Sequence, residues 1–532
     1  MSCFRFQHPI PFFFALLLQW GIFGLCEEAS CYTGPTSIVV REDAVFVAGR
    51  LSGQISVFKR EGGKVTSHFS FGRFLGNLAA VPGTNLFVAP AENSNELLLL
   101  RWHDNRLDTA ATVAVPGTPV HAEPSPDGRQ VSVSSLWGRS LSVFRIENSR
   151  LVLRTRIALP FSPRLQWWSS DGAHLVVADS HGGHLAVIET VDLTVRSIRH
   201  CNASGIRGIV QSKDGHSLLL AHNRVSQHNP TTQPMVFYGF VVSSGVLVLD
   251  LGNLLASSGF GEIHHFAFHP FGDVKTGAGD PGEIRFLRNG GFAACFSGVN
   301  EVAVGDGPGG VLTRIPVGRR PLALAESEDG NLLYVANYFD DTISEVDISQ
   351  KTVLRTLRLN KQRSPENTVR KGTVLFHDAR VSLHGWSSCN SCHVDGHTTG
   401  GLADTLGDGT IYTPKRIPSL FGTTLTGPWG WDGKKASLHD QILQSMRITM
   451  QGTEMKKDTP ENAALLATYL ETLKMPEVTP KADNRRTLGR RVFDELGGGL
   501  WNGRVAGLGE SLDDRRLAGA GAAGNHDKFC CH

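Results

Sequence analysis

The chain has 532 residues, a formal net charge of +2, 59 glycines and a charged fraction of 19 %. This length is sufficient for two or three domains with complete cores. The nearly balanced charge gives no reason to expect a nucleic-acid partner. Many glycines combined with few charged residues favour a region of short strands and frequent turns.

The first 26 residues have the pattern of a secretory signal peptide. Arg5 supplies the positive charge, residues 11–20 form the apolar segment, and Gly24 and Cys26 occupy the positions before a cleavage site. No later segment is long and apolar enough to span a membrane. The sequence therefore predicts a periplasmic or otherwise exported protein with no transmembrane segment after the signal is removed.

Residues 33–358 contain a repeated unit in which a tight turn precedes a β-rich run. The turns contain Asp-Gly or similar pairs, in which glycine adopts a positive φ. Glycines at positions 83, 128, 172 and 215 recur at intervals of 43 to 45 residues, a spacing typical of the four-stranded blades of a β-propeller. A longer interval of 75 residues, from 215 to 290, indicates an insertion within 222–285. Seven turn signals predict seven blades.

A cysteine motif carries the strongest chemical signal. Cys389-Asn390-Ser391-Cys392-His393 is C-x-x-C-H, the attachment signature of a c-type haem. The two thiols would bond to the haem vinyl groups, and His393 would bind the iron. A four-cysteine zinc site would require a second C-x-x-C pair, which the sequence lacks. Because the motif occurs once, we predict one haem c (iron) per chain.

The segment that carries this motif has helical features. Residues 361–371 are polar and are interpreted as a linker, and residues 365–480 as an all-α, cytochrome c-like domain. Residues 372–376 resemble the first helix of a cytochrome c fold, in which a glycine lets the last helix approach closely. The last helix is predicted at 460–474, with Thr459 as its cap and an apolar stripe at helical spacing.

The ligand on the other side of the iron is less clearly marked. A helix beginning at Ser437 and ending near Gly452 would place Met446 and Met450 on one face. We predict Met450 as the axial ligand, because a thioether raises the potential of a haem for electron transfer. Core packing of both methionines is the simpler interpretation. Met446, Met455 and His397 remain alternative ligands.

Two family resemblances extend these predictions. Residues 318–347 resemble the YVTN family of β-propeller repeats, which implies a fold and no particular activity. Residues 372–393, 416–420 and 426–433 contain, in the same order, motifs that resemble the haem domains of the bacterial di-haem cytochrome c peroxidase and MauG family. In that family an acid next to a methionine serves peroxide chemistry, which makes Glu454 a candidate by resemblance.

The C-terminal segment departs from the family pattern. Residues 489–497 repeat the opening of a haem domain, but no second C-x-x-C-H follows. Residues 486–532 are interpreted as a truncated or disordered tail. Without a second haem, the peroxidase activity that the resemblance implies is put in doubt.

The sequence thus predicts a multidomain protein, with an all-β seven-bladed propeller followed by an all-α cytochrome c-like domain. The predicted function is one-electron transfer through one covalent haem, with the propeller as a docking or substrate-binding module. The partner would be a redox protein or a small electron donor or acceptor. Two alternatives stay open, a di-haem cytochrome c peroxidase or MauG-like oxidoreductase and a propeller-based binding scaffold.

Overall fold

The computed structural model describes residues 32–60, 62–72, 74–264, 266–360 and 365–476, without the side chain of Glu454. The predicted signal peptide and the segment 486–532 lie outside these residues. From residue 35 to residue 358 the chain forms seven antiparallel sheets, each built from strands that follow one another in sequence. The seven-bladed propeller predicted from the turn spacing is therefore confirmed.

The first three blades are four-stranded meanders, and the fourth is a four-stranded meander to which a later strand adds. Their strands, in chain order, are Pro35–Arg41, Ala44–Gly49, Gln54–Lys59 and Val65–Ser70; Ala79–Ala80, Leu86–Ala91, Glu96–His103 and Arg106–Ala114; Pro119–Pro124, Gln130–Ser135, Ser140–Glu147 and Arg150–Ala158; and Pro163–Trp168, His174–Asp179, His184–Glu189 and Thr194–His200.

The insertion predicted within residues 222–285 belongs to the fifth blade. The helix Gln233–Phe237 follows the second strand of this blade, and the helix Leu251–Ala256 follows the third. The strand Gly259–Glu262 then pairs in parallel with the outer strand of the fourth blade. The strands of blades five to seven are Ser204–Gln211, Ser217–Val225, Val242–Asp250 and Phe266–Pro270; Pro281–Phe286, Phe292–Phe296, Glu301–Gly305 and Leu312–Pro316; and Pro321–Glu326, Leu332–Asn337, Thr342–Asp347 and Thr352–Arg358.

The Asp-Gly turns connect the first and second strands of their blades. In the third blade the hydroxyl of Ser125 donates to Asp127 Oδ1 at 2.6 Å, and Gly128 has a φ of +69°. The same Ser-x-Asp-Gly arrangement recurs with positive φ at Gly172, Gly215 and Gly330. An L-residue with a side chain rarely adopts this conformation, which explains why the repeat is marked by glycine.

Packing between blades closes the ring. In the first blade the second strand, Ala44–Gly49, is fully buried, whereas the outer strand, Val65–Ser70, alternates between exposed and partly buried residues. Blades one and seven meet through a shared apolar cluster that includes Phe58 and Tyr334. Their rings lie 5.8 Å apart in an edge-to-face arrangement. Apolar burial of this kind is the main stabilising contribution in a propeller.

The segment after the propeller is mainly helical, as predicted. Its α-helices are Thr368–Phe376, Cys389–Cys392, Leu438–Gln444 and Pro460–Leu470. A π-helical turn continues the third of these over Ser445–Thr449. Its 3₁₀ turns are Ala379–Val381, Leu383–Gly385, Val394–Gly396, Thr423–Leu425 and Gly452–Met455. One two-residue ladder, Leu402–Ala403 with Lys415–Arg416, is an exception to the all-α prediction.

Three helix boundaries differ from the sequence prediction. The first helix begins at Thr368, inside the predicted linker, because the side chain of Asn367 caps it by accepting from Arg370 N at 2.8 Å. The last helix ends at Leu470 instead of residue 474. The helix capped by Ser437 becomes a π-turn after Gln444. End positions are the least determined feature of a helical pattern.

Gly372 allows the first and last helices to cross closely. A Cβ atom at this position would lie 2.0 Å from the backbone oxygen of Leu465 and 2.9 Å from Cβ of Tyr469. Only glycine therefore fits this crossing without moving the backbone. The close approach that the sequence predicted from the cytochrome resemblance is present.

The helical domain packs against the propeller face at which the first strand of each blade begins. Gly277 N donates to His384 O at 2.8 Å, and Gly279 N donates to Gly385 O at 3.0 Å. The Trp386 indole donates to Phe237 O at 3.1 Å, and its ring leaves no space for a Cβ at Gly272. Among the helices that the structure describes, none is long and apolar enough to cross a membrane.

Candidate haem site at the propeller face

The C-x-x-C-H residues lie on a single short helix. The backbone N–H of Ser388, the N-cap, donates to the Ser391 hydroxyl at 2.9 Å. This hydrogen bond fixes the start of the helix Cys389–Cys392. Both cysteines are half-buried and form no disulfide. The sequence motif therefore becomes one turn that presents two reduced thiols followed by His393.

The thiols of the motif are held in their protonated form. Burial, together with the nearby charge of Asp280, raises the pKa of Cys389 and of Cys392 to about 12. Within the described part of the chain, no three histidine, cysteine or acidic side chains are grouped as a metal-ion site. Among these residues the two thiols therefore lack the further ligands of a structural zinc site.

His393 is oriented by a backbone carbonyl. Its Nδ1 lies 2.9 Å from Pro418 O, and a carbonyl oxygen can only accept, so Nδ1 carries the proton. The lone pair of Nε2 is then free, which is the tautomer that binds a metal. Burial lowers the pKa of His393 to about 4, so the imidazole is neutral at neutral pH.

An apolar core adjoins Cys389. Cys389 packs against a buried cluster that contains Phe376, Met446 and Met450. Cys392 packs against a second cluster, in which Leu383 meets valines of the fifth-blade insertion. The cysteine helix thus lies between the core of its own domain and the propeller.

The four candidate iron ligands differ in their burial and in their distance from the cysteine helix. Met446 is 1 % and Met450 is 6 % exposed, and both belong to the core that Cys389 contacts. Met455 is 36 % exposed. His397 instead faces the propeller, where its ring lies 5.6 Å from that of Trp137. Burial beside Cys389 therefore favours the two methionines of the 437–452 segment over His397 and Met455.

Asp280 of the propeller binds the cysteine helix directly. This carboxylate is buried, with 6 % exposure. It accepts from the hydroxyls of Ser388 and Ser391, the latter at 2.7 Å, and from Asn390 Nδ2 at 3.3 Å. It also accepts from Asn223 Nδ2 of its own domain at 3.1 Å. One propeller carboxylate therefore fixes the residues before and between the two cysteines.

Asp395 makes a second polar connection just after His393. Its Oδ2 accepts from Arg164 and from Arg207 of the propeller, each at 2.9 Å. Burial opposes ionisation, but the two guanidinium groups hold the pKa of Asp395 well below its usual range. His397, two residues later, lies 4.9 Å from the ring of His181. The propeller thus contacts both sides of the haem-attachment motif.

Sequence reasoning did not identify Asp280, Pro418 or Asp395 as site residues. Asp280 lies 108 residues before Ser388, and Pro418 lies 25 residues after His393. Pro418 occurs in a recognised family motif, which was the one available signal for it. Nothing local distinguishes Asp280 from the other aspartates that precede strands.

The family comparison decides the nature of the helical domain. Residues 366–481 match the family model of the di-haem cytochrome c peroxidases. The helical domain is thus similar to the di-haem cytochrome c peroxidase family, and we call it the peroxidase-family domain. Cytochrome c peroxidase Ccp of Escherichia coli (strain K12) is 34 % identical to the chain over 76 residues, which are 13 % of this chain and 15 % of that protein. The chain thus covers a small part of the length of this relative.

The propeller region is similar in fold to a solved structure. A structure of hydrazine synthase from Kuenenia stuttgartiensis aligns with a TM-score of 0.52 and 18 % identity, over 59 % of this chain and 96 % of that chain. At this identity the likeness concerns the fold alone.

The residues of the peroxidase-family domain fit a c-type haem. The thiols are free, Nε2 of His393 is available, and the neighbouring core is apolar with buried thioethers. These groups are the donors and surroundings that a covalently attached haem uses. The domain therefore supports a haem-based redox function.

Proposed function

We propose that this protein is an exported c-type haem protein that transfers single electrons through the haem of its peroxidase-family domain. The haem would be held through thioether bonds to Cys389 and Cys392, with His393 and Met450 as the protein ligands of its iron. The observation that carries the proposal is the hydrogen bond from His393 Nδ1 to Pro418 O, which leaves Nε2 free beside two reduced thiols.

Each residue has a defined task in this proposal. A haem with a histidine and a thioether ligand supplies reversible one-electron chemistry. Pro418 fixes the tautomer and the ring orientation of His393. Met450 and Met446, together with the buried residues around them, exclude water from the site. Asp280 and Asp395 hold the attachment segment on the propeller, which would give a redox partner its docking surface.

We expect Met450→Leu to remove the near-infrared sulfur-to-iron band of the oxidised protein and to lower its reduction potential. Leucine has nearly the volume of methionine, so the substitution should cost less than about 1.5 kcal/mol of stability. Met446→Leu is the matched control, because Met446 is equally buried in the same cluster. An unchanged spectrum for Met450→Leu, with the band lost in Met446→Leu, would assign the ligand to Met446.

A second candidate is peroxide reduction of the di-haem peroxidase or MauG type, which the family match favours. In that case peroxide would need an open position on the iron, or a second haem. Optical titration, mass spectrometry and turnover with hydrogen peroxide and a reduced donor separate the two functions. We expect one haem per chain and turnover close to that of free haem. Rapid, saturable turnover would replace electron transfer with peroxidase activity as the function of this domain.

A further inference from the structure

A large cavity runs along the axis of the propeller and reaches the peroxidase-family domain. It has a volume of about 3340 Å³ and is lined mainly by the first strands of the blades. At one end the lining is completed by the first and last helices of the helical domain, through Thr373, His377 and Tyr469. We name this end, between the propeller and these helices, the interdomain chamber.

Arginines dominate the wall of the interdomain chamber. Arg50 is neutralised by Glu92, whose carboxylate oxygens it contacts at 2.8 and 2.6 Å. Arg164 and Arg207, however, share the single carboxylate of Asp395. Arg164, Arg207 and Asp395 together therefore carry one net positive charge, in a site that is partly removed from water.

Arg320 adds a further positive charge with no acidic partner. Its guanidinium lies 5.3 Å from the ring centroids of both Tyr338 and Phe339. Among the described residues, no carboxylate comes within ion-pair distance of it and no acceptor bonds its guanidinium. Burial lowers the pKa of Arg320, and the more distant carboxylates of Asp395 and Asp280 offset this effect only in part. A guanidinium held against aromatic rings in a cavity is well placed to bind a carboxylate or a phosphate through two parallel hydrogen bonds.

The other walls of the chamber are aromatic. Trp137, Phe421 and Tyr469 line it together with Tyr338. Tyr469 also packs against Phe376, with ring centroids 5.0 Å apart, and Phe376 belongs to the core cluster that Cys389 contacts. His377 lines the same wall and is held neutral, because burial keeps its pKa well below its usual value. Such walls accept a planar apolar group beside the charged one.

We propose that the interdomain chamber binds a small organic anion in which an oxyanion, a carboxylate or phosphate, is attached to an aromatic ring. Arg320 binds the oxyanion, and the rings of Tyr338 and Tyr469 contact the aromatic part. This site is separate from the haem-attachment residues and does not depend on the electron-transfer proposal. The occupied site lies next to the haem domain, so that the bound molecule is positioned near the redox centre.

The test is calorimetric titration of the full-length holoprotein at low salt with benzoate, phenyl phosphate, inorganic phosphate and benzylamine. We expect one molecule of benzoate or phenyl phosphate to bind per chain, and the stronger of the two identifies the oxyanion. Inorganic phosphate lacks the ring and benzylamine carries the wrong charge, so neither should bind comparably. Arg320→Gln should weaken binding at least tenfold, since it removes a charge-assisted contact of about 1.4 kcal/mol or more.

Two features keep the test decisive. The guanidinium of Arg320 makes no hydrogen bond or ion pair with a described side chain, so Arg320→Gln should still fold and lose only the contacts with the rings of Tyr338 and Phe339. Thermal unfolding of the variant checks this before the titration. Arg288→Gln is the matched control, because Arg288 lines the far end of the same cavity and its side chain is 63 % exposed. Binding that is absent in the unsubstituted protein, stronger for inorganic phosphate than for both aromatic anions, or equal in the Arg320→Gln and Arg288→Gln variants would overturn the proposal.

Discussion

Replacing both Cys389 and Cys392 by serine should abolish covalent haem, with no haem-stained band remaining on a denaturing gel. Serine keeps the size and hydrogen-bonding capacity of the side chains but cannot form a thioether. The two residues lie on one turn beside His393, so no other described thiol is close enough to substitute for them. The measurement is haem staining, with the pyridine haemochrome spectrum as a second assay.

Cys201→Ser is the matched control for this result. Cys201 is a buried, free thiol in the propeller, and its Sγ donates to Gly183 O at 3.2 Å. Serine can make the same hydrogen bond, so this variant should retain full haem staining. Haem staining that persists in the double variant would contradict the assignment of both cysteines.

Asp280→Ala should destabilise the haem domain and loosen its attachment to the propeller. The substitution leaves the hydroxyls of Ser388 and Ser391 and the amide of Asn390 without their common acceptor. Each buried donor left unpaired costs roughly 1–3 kcal/mol, so a total loss of several kcal/mol is expected. Thermal unfolding of the holoprotein, followed at the haem absorbance, measures the effect, and limited proteolysis between the two domains reports the loosening.

Two further variants test whether the Asp280 carboxylate causes the loss of stability. Asp280→Asn keeps one carbonyl acceptor and should lose less stability than Asp280→Ala. Asp306→Ala removes an exposed aspartate from the sixth blade, whose first strand begins directly after Asp280, and should melt like the unsubstituted protein. If Asp280→Ala melted at the same temperature as Asp306→Ala, the carboxylate would not hold the two domains together.

Much of the fold could be read from local patterns. The propeller was predicted because each Asp-Gly turn needs a glycine with positive φ, and these turns recur with the period of one blade. The cap of the last helix was predicted from Thr459, whose hydroxyl accepts from Asn462 N at 3.2 Å. Such contacts join residues only a few positions apart, so the sequence shows both partners together.

The candidate site was predictable in part. The C-x-x-C-H motif predicts its chemistry, since two thiols and an imidazole must be adjacent to attach and bind a haem. The placement of Met446 and Met450 in one core followed from helical spacing, although a π-turn intervenes. Which of the two binds iron was not determined by spacing, because both lie in the core that Cys389 contacts.

By itself, the sequence determined the repeated blades and the C-x-x-C-H turn, and the resemblance to cytochrome c predicted the glycine at the helix crossing. Only the tertiary structure decided that the attachment turn faces the propeller and that Asp280 and Asp395 bind across this contact. The partners of Asp395 lie 231 and 188 residues away, and no periodic pattern relates positions at such separations. Arg320 shows the same limit, since a charge without a partner is recognised only when all its neighbours in space are known.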